Sequence, residues 1–196
     1  MAKQASSRES YHHGDLPSVL IREGARLLDE KGADGFSMRE VARRAGVAVA
    51  APAHHFGNAK GLLTAIAAEG FSGLAEQLAA APTRSEDIED RVAAMCAAYV
   101  AFGKREPGRL AVMFRLELID EGDEHFLKES SRAFGCFEEA LRRAAAAPVN
   151  DTEVNRAAKT LWAAMHGLLA LRMIPEQEAD ELISFAVSSV LGGLQR

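Results

Sequence analysis

Cysteine, aromatic residues and long apolar runs are scarce in this sequence. The chain of 196 residues has two cysteines, Cys96 and Cys136, and neither has a partner at the spacing of metal ligands. Even the apolar stretch 161–174 is interrupted by polar residues, and it falls short of the roughly 20 residues that a membrane span requires. With no signal peptide recognised, these features exclude a disulfide scaffold and a membrane protein. They predict a soluble protein of the reducing cytoplasm.

The signatures of catalysis are missing as well. We find no nucleophile with a base at plausible spacing, no glycine-rich phosphate loop, and no paired carboxylates framed by apolar residues. His12 and His13 are adjacent, but without cysteines or carboxylates at ligand spacing an exposed polar pair is favoured over half of a metal site. We therefore predict no enzyme activity, no metal and no cofactor.

Alanine dominates the apolar residues, which make up 48% of the chain. No sustained alternation of polar residues with β-branched or aromatic ones is found, so helices are favoured throughout and the predicted fold class is all-α. Caps, glycines and prolines divide the chain into nine predicted helices. We predict a flexible arm at 1–10, a three-helix unit at 11–57, a connecting helix at 58–81 and a second helical domain at 82–196.

The second predicted helix is short and is followed by a glycine turn. Ser37 and Glu40 have the spacing of a capping box, so this helix is predicted to begin at Met38. Gly46 is expected to adopt the left-handed conformation that ends the helix at about Ala45. A short helix, a glycine turn and another short helix form the pattern of a DNA-binding helix-turn-helix, although any helical hairpin has the same pattern.

The later helix boundaries follow from similar signals. Pro107 is predicted to open a sixth helix, which Gly122 separates from a seventh. Asn150 is a suitable N-cap for an eighth helix that runs to about Met173, and Pro175 opens a ninth that lasts almost to the end of the chain.

Charge is distributed unevenly along the chain. The net charge is −5, but residues 1–63 hold nine Lys and Arg against seven acids, which leaves a net +2 there and −7 in the remainder. A mildly basic head on an acidic body favours a nucleic-acid-binding module joined to one that does not bind nucleic acid.

Several motifs occur in a fixed order from residue 11 to residue 74. They are Gly35-Phe36-Ser37, the stretch Val41 to Val47 around the glycine turn, His55-Phe56 and Gly61-Leu62-Leu63. In these motifs the chain resembles the N-terminal domain of the tetracycline-repressor (TetR) family. Near the C-terminus, Trp162 with His166-Gly167 is similar to a signature that one subgroup of that family carries on its penultimate helix. The resemblance implies a two-domain fold of nine helices and a homodimeric transcription regulator that a small molecule releases from operator DNA.

The resemblance also implies which residues would contact DNA. In the family the third helix lies in the major groove, while the start of the second helix and the end of the third bind phosphate. The matching positions are Ser37, Arg39, Arg43, Ala48, Val49, Ala50, Pro52, His54, His55 and Lys60. Arg39 has the length and geometry to clasp both acceptor atoms of a guanine. Arg43, with Arg44, either contacts phosphate or forms a solvated helix face, and Phe56 is expected in the core.

The predicted reading helix departs from the family pattern. Residues 48–53 are rich in alanine and offer no side-chain hydrogen-bond donor, where the family usually has Ser or Thr and a Tyr. Either the helix reads thymine methyl groups, with Arg39 and His54 adding polar contacts, or the protein is a ligand-binding or scaffolding dimer with weakened or lost DNA binding. We favour the first hypothesis, because an exposed apolar surface would otherwise have no role. Pro52 fits only in the first turn of a helix.

Large apolar residues crowd the C-terminal half. Candidates for the lining of an effector cavity are Phe102, Met113, Phe114, Phe137, Trp162, Met165 and His166, with ordinary core packing as the alternative. His166 or Arg115 would be the polar anchor of a small hydrophobic effector.

Small residues follow one side of the last two helices, which in the family pair across a two-fold axis; the alternative is packing within one subunit. The sequence does not separate a repressor from an activator.

Overall fold

The structure, a computed structural model, describes residues 16–81, 87–144, 150–173 and 175–194. Every regular element in these ranges is helical, in the order α1 (Leu16–Lys31), α2 (Met38–Arg44), α3 (Ala51–Phe56), α4 (Ala59–Ala79), α5 (Ile88–Arg105), α6 (Pro107–Met113), α7 (Glu124–Ala144), α8 (Asp151–Ala170) and α9 (Ala179–Leu194), with 3-10 turns at Leu116–Leu118 and Glu176–Glu178. For these ranges the prediction of an all-α fold with nine helices is confirmed, and none of the helices there is long and apolar enough to cross a membrane. The predicted arm, His12 and His13 lie outside the described residues.

α1 and α3 pack against α4, and α2 packs against α1 and α3. α1 buries Leu20 and Leu28 along one face, as the helical spacing of its apolar residues requires. It ends because Gly32 takes a positive φ of 67°, which turns the chain toward α2. α4 is apolar on several sides, with Leu62 and Ile66 fully buried, since it lies between the short helices and the C-terminal bundle.

α2 begins at Met38 as predicted, but the predicted capping box is wrong. Ser37 occupies the N-cap position with an extended backbone, and its side chain makes no cap hydrogen bond. Glu40 accepts hydrogen bonds from the guanidinium groups of Arg43 and Arg44 instead. A carboxylate forms a stronger hydrogen bond with a guanidinium group than with a neutral backbone amide. Glu40 therefore binds the two arginines instead of the amide at the helix N-terminus.

The glycine turn after α2 is confirmed. Gly46 has a φ of 68°, and the amide of Val47 donates to the carbonyl of Ala42 at 3.0 Å, which closes the turn. Ala42 is fully buried, so the small side chain allows α2 to pack closely while the chain reverses. The turn therefore positions the start of α3 beside α2.

The C-terminal half is a bundle of longer helices. α4 packs most extensively against α7, and α5 contacts α4, α7, α8 and α9. Tyr99, Phe102 and Phe137 are among its largest fully buried side chains. Helices of this length bury enough apolar surface on one face to hold the bundle together.

α6 is shorter than predicted. It ends at Met113 rather than near Gly122, and a 3-10 turn occupies part of the intervening segment. The amide of Asp120 donates to Thr64 Oγ1 on α4 at 2.8 Å. This hydrogen bond to a buried threonine holds the segment against α4, so the chain cannot continue as a helix away from it.

The ends of α8 and α9 also differ from the prediction by a few residues. Asn150 caps α8 as predicted, accepting from the amide of Glu153 at 2.9 Å. α8 ends at Ala170 rather than Met173, because Arg172 takes a φ of 53° and leaves the helix. After Pro175 a 3-10 turn comes first, and α9 begins at Ala179.

α6 links the N-terminal helices to the bundle. The amide of Gly108, in the first turn of α6, donates to Asp29 Oδ1 on α1 at 2.7 Å. A Cβ atom at position 108 would collide with the backbone of Leu28, so glycine is what lets the two helices come this close. The other side of α6 packs against α4 and α5.

Candidate nucleic-acid interface and ligand cleft

Four of the residues predicted to contact DNA line one surface concavity. Ser37, Arg39 and Arg43 come from the start and the outer face of α2, and Val49 comes from the turn before α3; Glu40 and Val47 complete the wall. The concavity, which we name the α2 concavity, has a volume of about 390 Å³. The glycine turn at residue 46 brings these two segments together.

The arginines of α2 differ in what they contact. Arg43 donates two hydrogen bonds to Glu40, from Nε to Oε2 and from Nη2 to Oε1, each 2.8 Å long. Arg44 bonds Glu30 on α1 at 2.6 and 2.9 Å, and also Glu40. Within the described residues, the exposed side chain of Arg39 has no ion pair or hydrogen bond. Arg39 is therefore the one of the three whose donors are all uncommitted.

The ion pairs change the charge of the concavity. Hydrogen bonds from Arg43, and then from Arg44, lower the pKa of Glu40 to about 2, so this carboxylate is ionised at neutral pH. The negative charge of Glu40 therefore offsets the positive charge of Arg43 on the same surface. The hydrogen bonds that Arg44 donates to Glu30 and then to Glu40 raise the pKa of Arg44, whose side chain links α2 to α1.

The segment predicted as the reading helix is only partly helical. α3 begins at Ala51, so Ala48, Val49 and Ala50 form the turn that precedes it. All three are exposed, and Val49 is 62% exposed, so the three side chains form a contiguous apolar surface. Pro52 lies in the first turn of α3, where a proline is tolerated, as predicted. Its side chain is buried, and the contact of Pro52 with DNA stays a prediction.

The end of α3 presents imidazole rings to solvent. His54 and His55 are exposed, with ring centroids 5.4 Å apart, and Lys60 is exposed at the start of α4. Phe56 is half-buried and packs against the core, in agreement with the prediction.

Sequence reasoning missed the role of Asn58, whose side chain caps α4 by accepting a hydrogen bond from the amide of Gly61 at 3.0 Å. An Asn directly before a helical stripe is the signal that would have revealed it.

Most of the predicted effector-binding residues are packed core. Phe102, Met113, Phe137 and Met165 are at most 1% exposed. The ring of Trp162 lies edge-on to Phe137 at 5.4 Å and to Tyr99 at 5.1 Å. These four residues, with the half-buried Trp162 packed against them, fill space with their neighbours, which was the alternative interpretation.

Phe114 and His166, the other two predicted residues, line a cleft between α5, α6 and α8. This α6 cleft has a volume of about 280 Å³, and its wall consists of Gly103, Pro107, Leu110, Ala111, Phe114, Arg115, His166, Leu169 and Ala170. His166 Nδ1 lies 3.1 Å from the hydroxyl of Tyr99, and its ring centroid lies 4.2 Å from that of Phe114. Burial lowers the pKa of His166, which favours a neutral ring able to bond a polar group of a ligand.

Arg115 sits at the edge of the α6 cleft and faces the N-terminal helices. It pairs with Glu117 at 2.7 Å and with Asp34, in the turn after α1, at 3.7 Å.

Tyr99, the partner of His166, was not predicted, although its spacing of three residues from Phe102 puts both on one face of α5. In the described ranges, no three His, Cys, Asp or Glu side chains are grouped so that they could hold a metal ion.

Two family models match the chain. Residues 20–66 match "Bacterial regulatory proteins, tetR family", and residues 92–187 match "Tetracyclin repressor-like, C-terminal domain". The two matched ranges do not overlap, and together they cover well over half of the chain. Among curated proteins, no match is found.

Solved structures with the same fold include uncharacterised and regulatory proteins. A Rhodococcus sp. RHA1 protein of unknown function is 26% identical, with a TM-score of 0.79, over 97% of this chain and 100% of that one. The TetR family transcriptional regulator PfmR of Thermus thermophilus is 21% identical, with a TM-score of 0.66, over 90% and 99% of the two chains. A Rhodococcus regulatory protein of the tetR family is 16% identical, with a TM-score of 0.68, over 92% and 97%.

Proposed function

Because this chain belongs to the TetR family of transcription regulators, we propose that it is a cytoplasmic repressor that binds a palindromic operator as a homodimer and leaves it when a small hydrophobic effector binds. The observation that carries the proposal is the α2 concavity, where an uncommitted arginine and an exposed valine lie side by side. These two side chains suit two different features of a base-pair edge.

DNA is read by few side chains in this proposal. Arg39 donates two hydrogen bonds to a guanine, and Val49 with Ala48 and Ala50 contacts thymine methyl groups in the same major groove. The contiguous exposure of Ala48, Val49 and Ala50 supports this interpretation over a scaffold that has lost DNA binding, since an exposed apolar patch marks an interaction surface. The hydroxyl of Ser37, His54, His55 and Lys60 supply phosphate contacts around it.

The effector binds in the α6 cleft. α6 forms one wall of this cleft and also holds α1 through the hydrogen bond from Gly108 to Asp29. A ligand that fills the cleft pushes on α6, and α6 cannot move without shifting α1 or losing that bond. The cleft volume of about 280 Å³ lies just below the range of about 300–1,000 Å³ that is usual for small-molecule sites. A compact apolar effector with one polar group facing His166 fits it.

The homodimer forms through α8 and α9. The exposed large apolar side chains of this region are Leu171, Met173 and Phe185, which are 69%, 56% and 75% exposed in the single chain. Added Cβ atoms at Gly167 and Gly193 would meet no other atom within 4 Å, so the backbone is accessible to a partner helix there. A two-fold axis through this face places two reading heads on successive major grooves.

Footprinting on the DNA upstream of the protein's own gene tests the proposal. Protection of a palindrome at low salt, lost on addition of a compact hydrophobic compound, is the expected result. The few phosphate contacts predict a shallow fall of log affinity with log salt. A control variant, Arg26→Ala, changes an exposed arginine on α1 that is paired with Glu23 and should leave the footprint unchanged. No protection at low salt would favour the scaffolding dimer instead.

A further inference from the structure

A second cleft lies at the opposite end of α4 from the α2 concavity. It is formed by the last turns of α4, the first half of α5 and the second half of α7, and we name it the α7 cleft. Its volume is about 390 Å³, larger than that of the α6 cleft. Leu78, Ala81, Ile88, Met95 and Ala140 give it an apolar floor. A volume and lining of this kind suit a small organic molecule.

The charged residues of the α7 cleft are mostly positive. Of the described residues, Arg91, Arg132 and Arg143 line it, against one acid, Glu139. Arg143 donates to Glu139 at 2.7 Å, so these two charges largely cancel. Among the described residues, the rest of the lining of the cleft carries two guanidinium groups and no carboxylate.

The two remaining arginines are not equally available. Arg132 donates to the carbonyl of Ser72 at 2.9 Å and lies 3.1 Å from the buried carboxylate of Glu129. The half-buried side chain of Arg91 makes no ion pair or hydrogen bond within the described ranges. Partial burial reduces its solvation, which strengthens its attraction for an anion. Arg91 is thus the side chain best able to bind a charged ligand.

We propose that the α7 cleft is a binding site for an organic anion with an aliphatic chain, a carboxylate whose head group pairs with Arg91 and whose chain lies on the apolar floor. An aliphatic cation would be repelled by the positive charge of Arg91. A neutral chain of the same length would gain the apolar contacts and lose the charged hydrogen bonds. The site is separate from the α6 cleft, so it stands or falls independently of the proposed repressor function.

Calorimetry with three matched probes tests the charge preference without DNA. Octanoate, octanol and octylammonium share one chain and differ in their head group. We expect octanoate to bind at least about tenfold more tightly than octanol, as expected for a charge-assisted hydrogen bond. Octylammonium should bind more weakly than both. Equal affinity for octanoate and octanol, or no binding of octanoate, would overturn the proposal.

Substitutions in the α7 cleft test whether octanoate binds there. Arg91→Gln should reduce octanoate affinity about tenfold and leave octanol unaffected. Arg142→Gln is the matched control, because Arg142 is on the same helix as Arg143 but pairs with Asp151 and does not line the cleft. Gly135→Leu is a second variant: an added Cβ at Gly135 would meet no other atom within 4 Å, so a leucine there fills the cleft without breaking α7. It should abolish octanoate binding.

A chemical readout checks the same location. Cys136 lines the α7 cleft and is half-buried, whereas Cys96 is fully buried in the core. Bound octanoate should slow the alkylation of Cys136 by N-ethylmaleimide in the wild type and not in Gly135→Leu. The proposal is wrong if octanoate binds without slowing alkylation, or if Arg91→Gln and Arg142→Gln lose the same affinity.

Discussion

The N-terminal helices and the C-terminal bundle use their side chains in opposite ways. In the N-terminal part, α2 and α3 are single short helices, and the residues of the candidate interface, such as Arg39 and Val49, are exposed. In the bundle the helices are longer, and most residues expected to bind a ligand, such as Phe137, are buried in its core. A candidate site is therefore revealed by exposed side chains in the first region, and by clefts beside the core in the second.

The difference has a physical origin. Helices as short as α2 and α3 are not stable in isolation, so they are held by packing on α1 and α4 and by ion pairs such as that of Arg44 with Glu30. Their outer faces contribute little to folding and are free to bind DNA. The bundle helices stabilise one another through aromatic packing, so a substitution there changes folding before it changes function.

The largest effect is expected for Phe137→Ala in the bundle. Phe137 is fully buried and contacts Tyr99 and Trp162, so its removal leaves a cavity and should lower the free energy of unfolding by about 3–5 kcal/mol. Leu127→Ala, on the same helix but 48% exposed, is the control and should have a small effect. Urea denaturation followed by circular dichroism measures both. Equal effects would contradict the core role of Phe137.

An exposed residue of the bundle should behave differently. Phe185→Ser should weaken homodimer association by about 2 kcal/mol or more, because a central aromatic side chain dominates the energy of an interface. Sedimentation equilibrium measures the dissociation constant, with Leu116→Ser, 48% exposed and away from α8 and α9, as the control. A wild-type monomer, or a dimer that tolerates the Phe185 change, would contradict pairing through α8 and α9.

In the N-terminal part the largest effect should fall on DNA binding. Arg39→Ala is expected to weaken operator binding by about 1–3 kcal/mol, since it removes two hydrogen bonds to a base. Arg43→Ala should weaken it less, because Glu40 already neutralises Arg43. Fluorescence anisotropy on the footprinted operator measures both, and circular dichroism checks the fold. A larger loss for Arg43→Ala would reverse the roles assigned to the two arginines.

Alanine substitutions at two glycines compare the backbone conformation of the turn after α2 with that of α4. Gly46→Ala should lower the free energy of unfolding by about 1–2 kcal/mol, because alanine is strained at a φ of 68°. Gly73→Ala, in α4 with no atom within 4 Å of the added Cβ, should raise it by roughly 0.5–1 kcal/mol. Thermal unfolding of both variants measures the two shifts, and shifts of the same sign would contradict the assigned conformations.

The smallest expected effect concerns the ion pairs of α2. Since folding lowers the pKa of Glu40 from 4.5 to about 2, its contribution to stability is complete above pH 4.5 and is lost as the pH falls toward 2. Between pH 7 and pH 3, the melting temperature should therefore fall more for the wild type than for Glu40→Gln. The difference should be small and should shrink with added salt, because these side chains remain in contact with water. Identical pH profiles would show that the pairs contribute nothing.

Local signals in the sequence were sufficient for the helices and the glycine turn. Gly46, Pro52 and Asn150 each act on their own backbone neighbours, so the turn, the first turn of α3 and the cap of α8 follow from residue type alone. The capping box failed because Glu40 had a choice of partners. Arg43 and Arg44 follow Glu40 by three and four residues, so the helical spacing already places both guanidinium groups beside it.

The sequence by itself determined an all-helical chain with a helix-turn-helix pattern, because periodicity, caps and glycines operate over a few residues. Only the tertiary structure decided which large apolar side chains form core and which line a cleft. Phe114 and Phe137 look alike in sequence, yet one borders the α6 cleft and the other is fully buried. That difference depends on how helices distant in sequence pack against each other, and no local pattern records it.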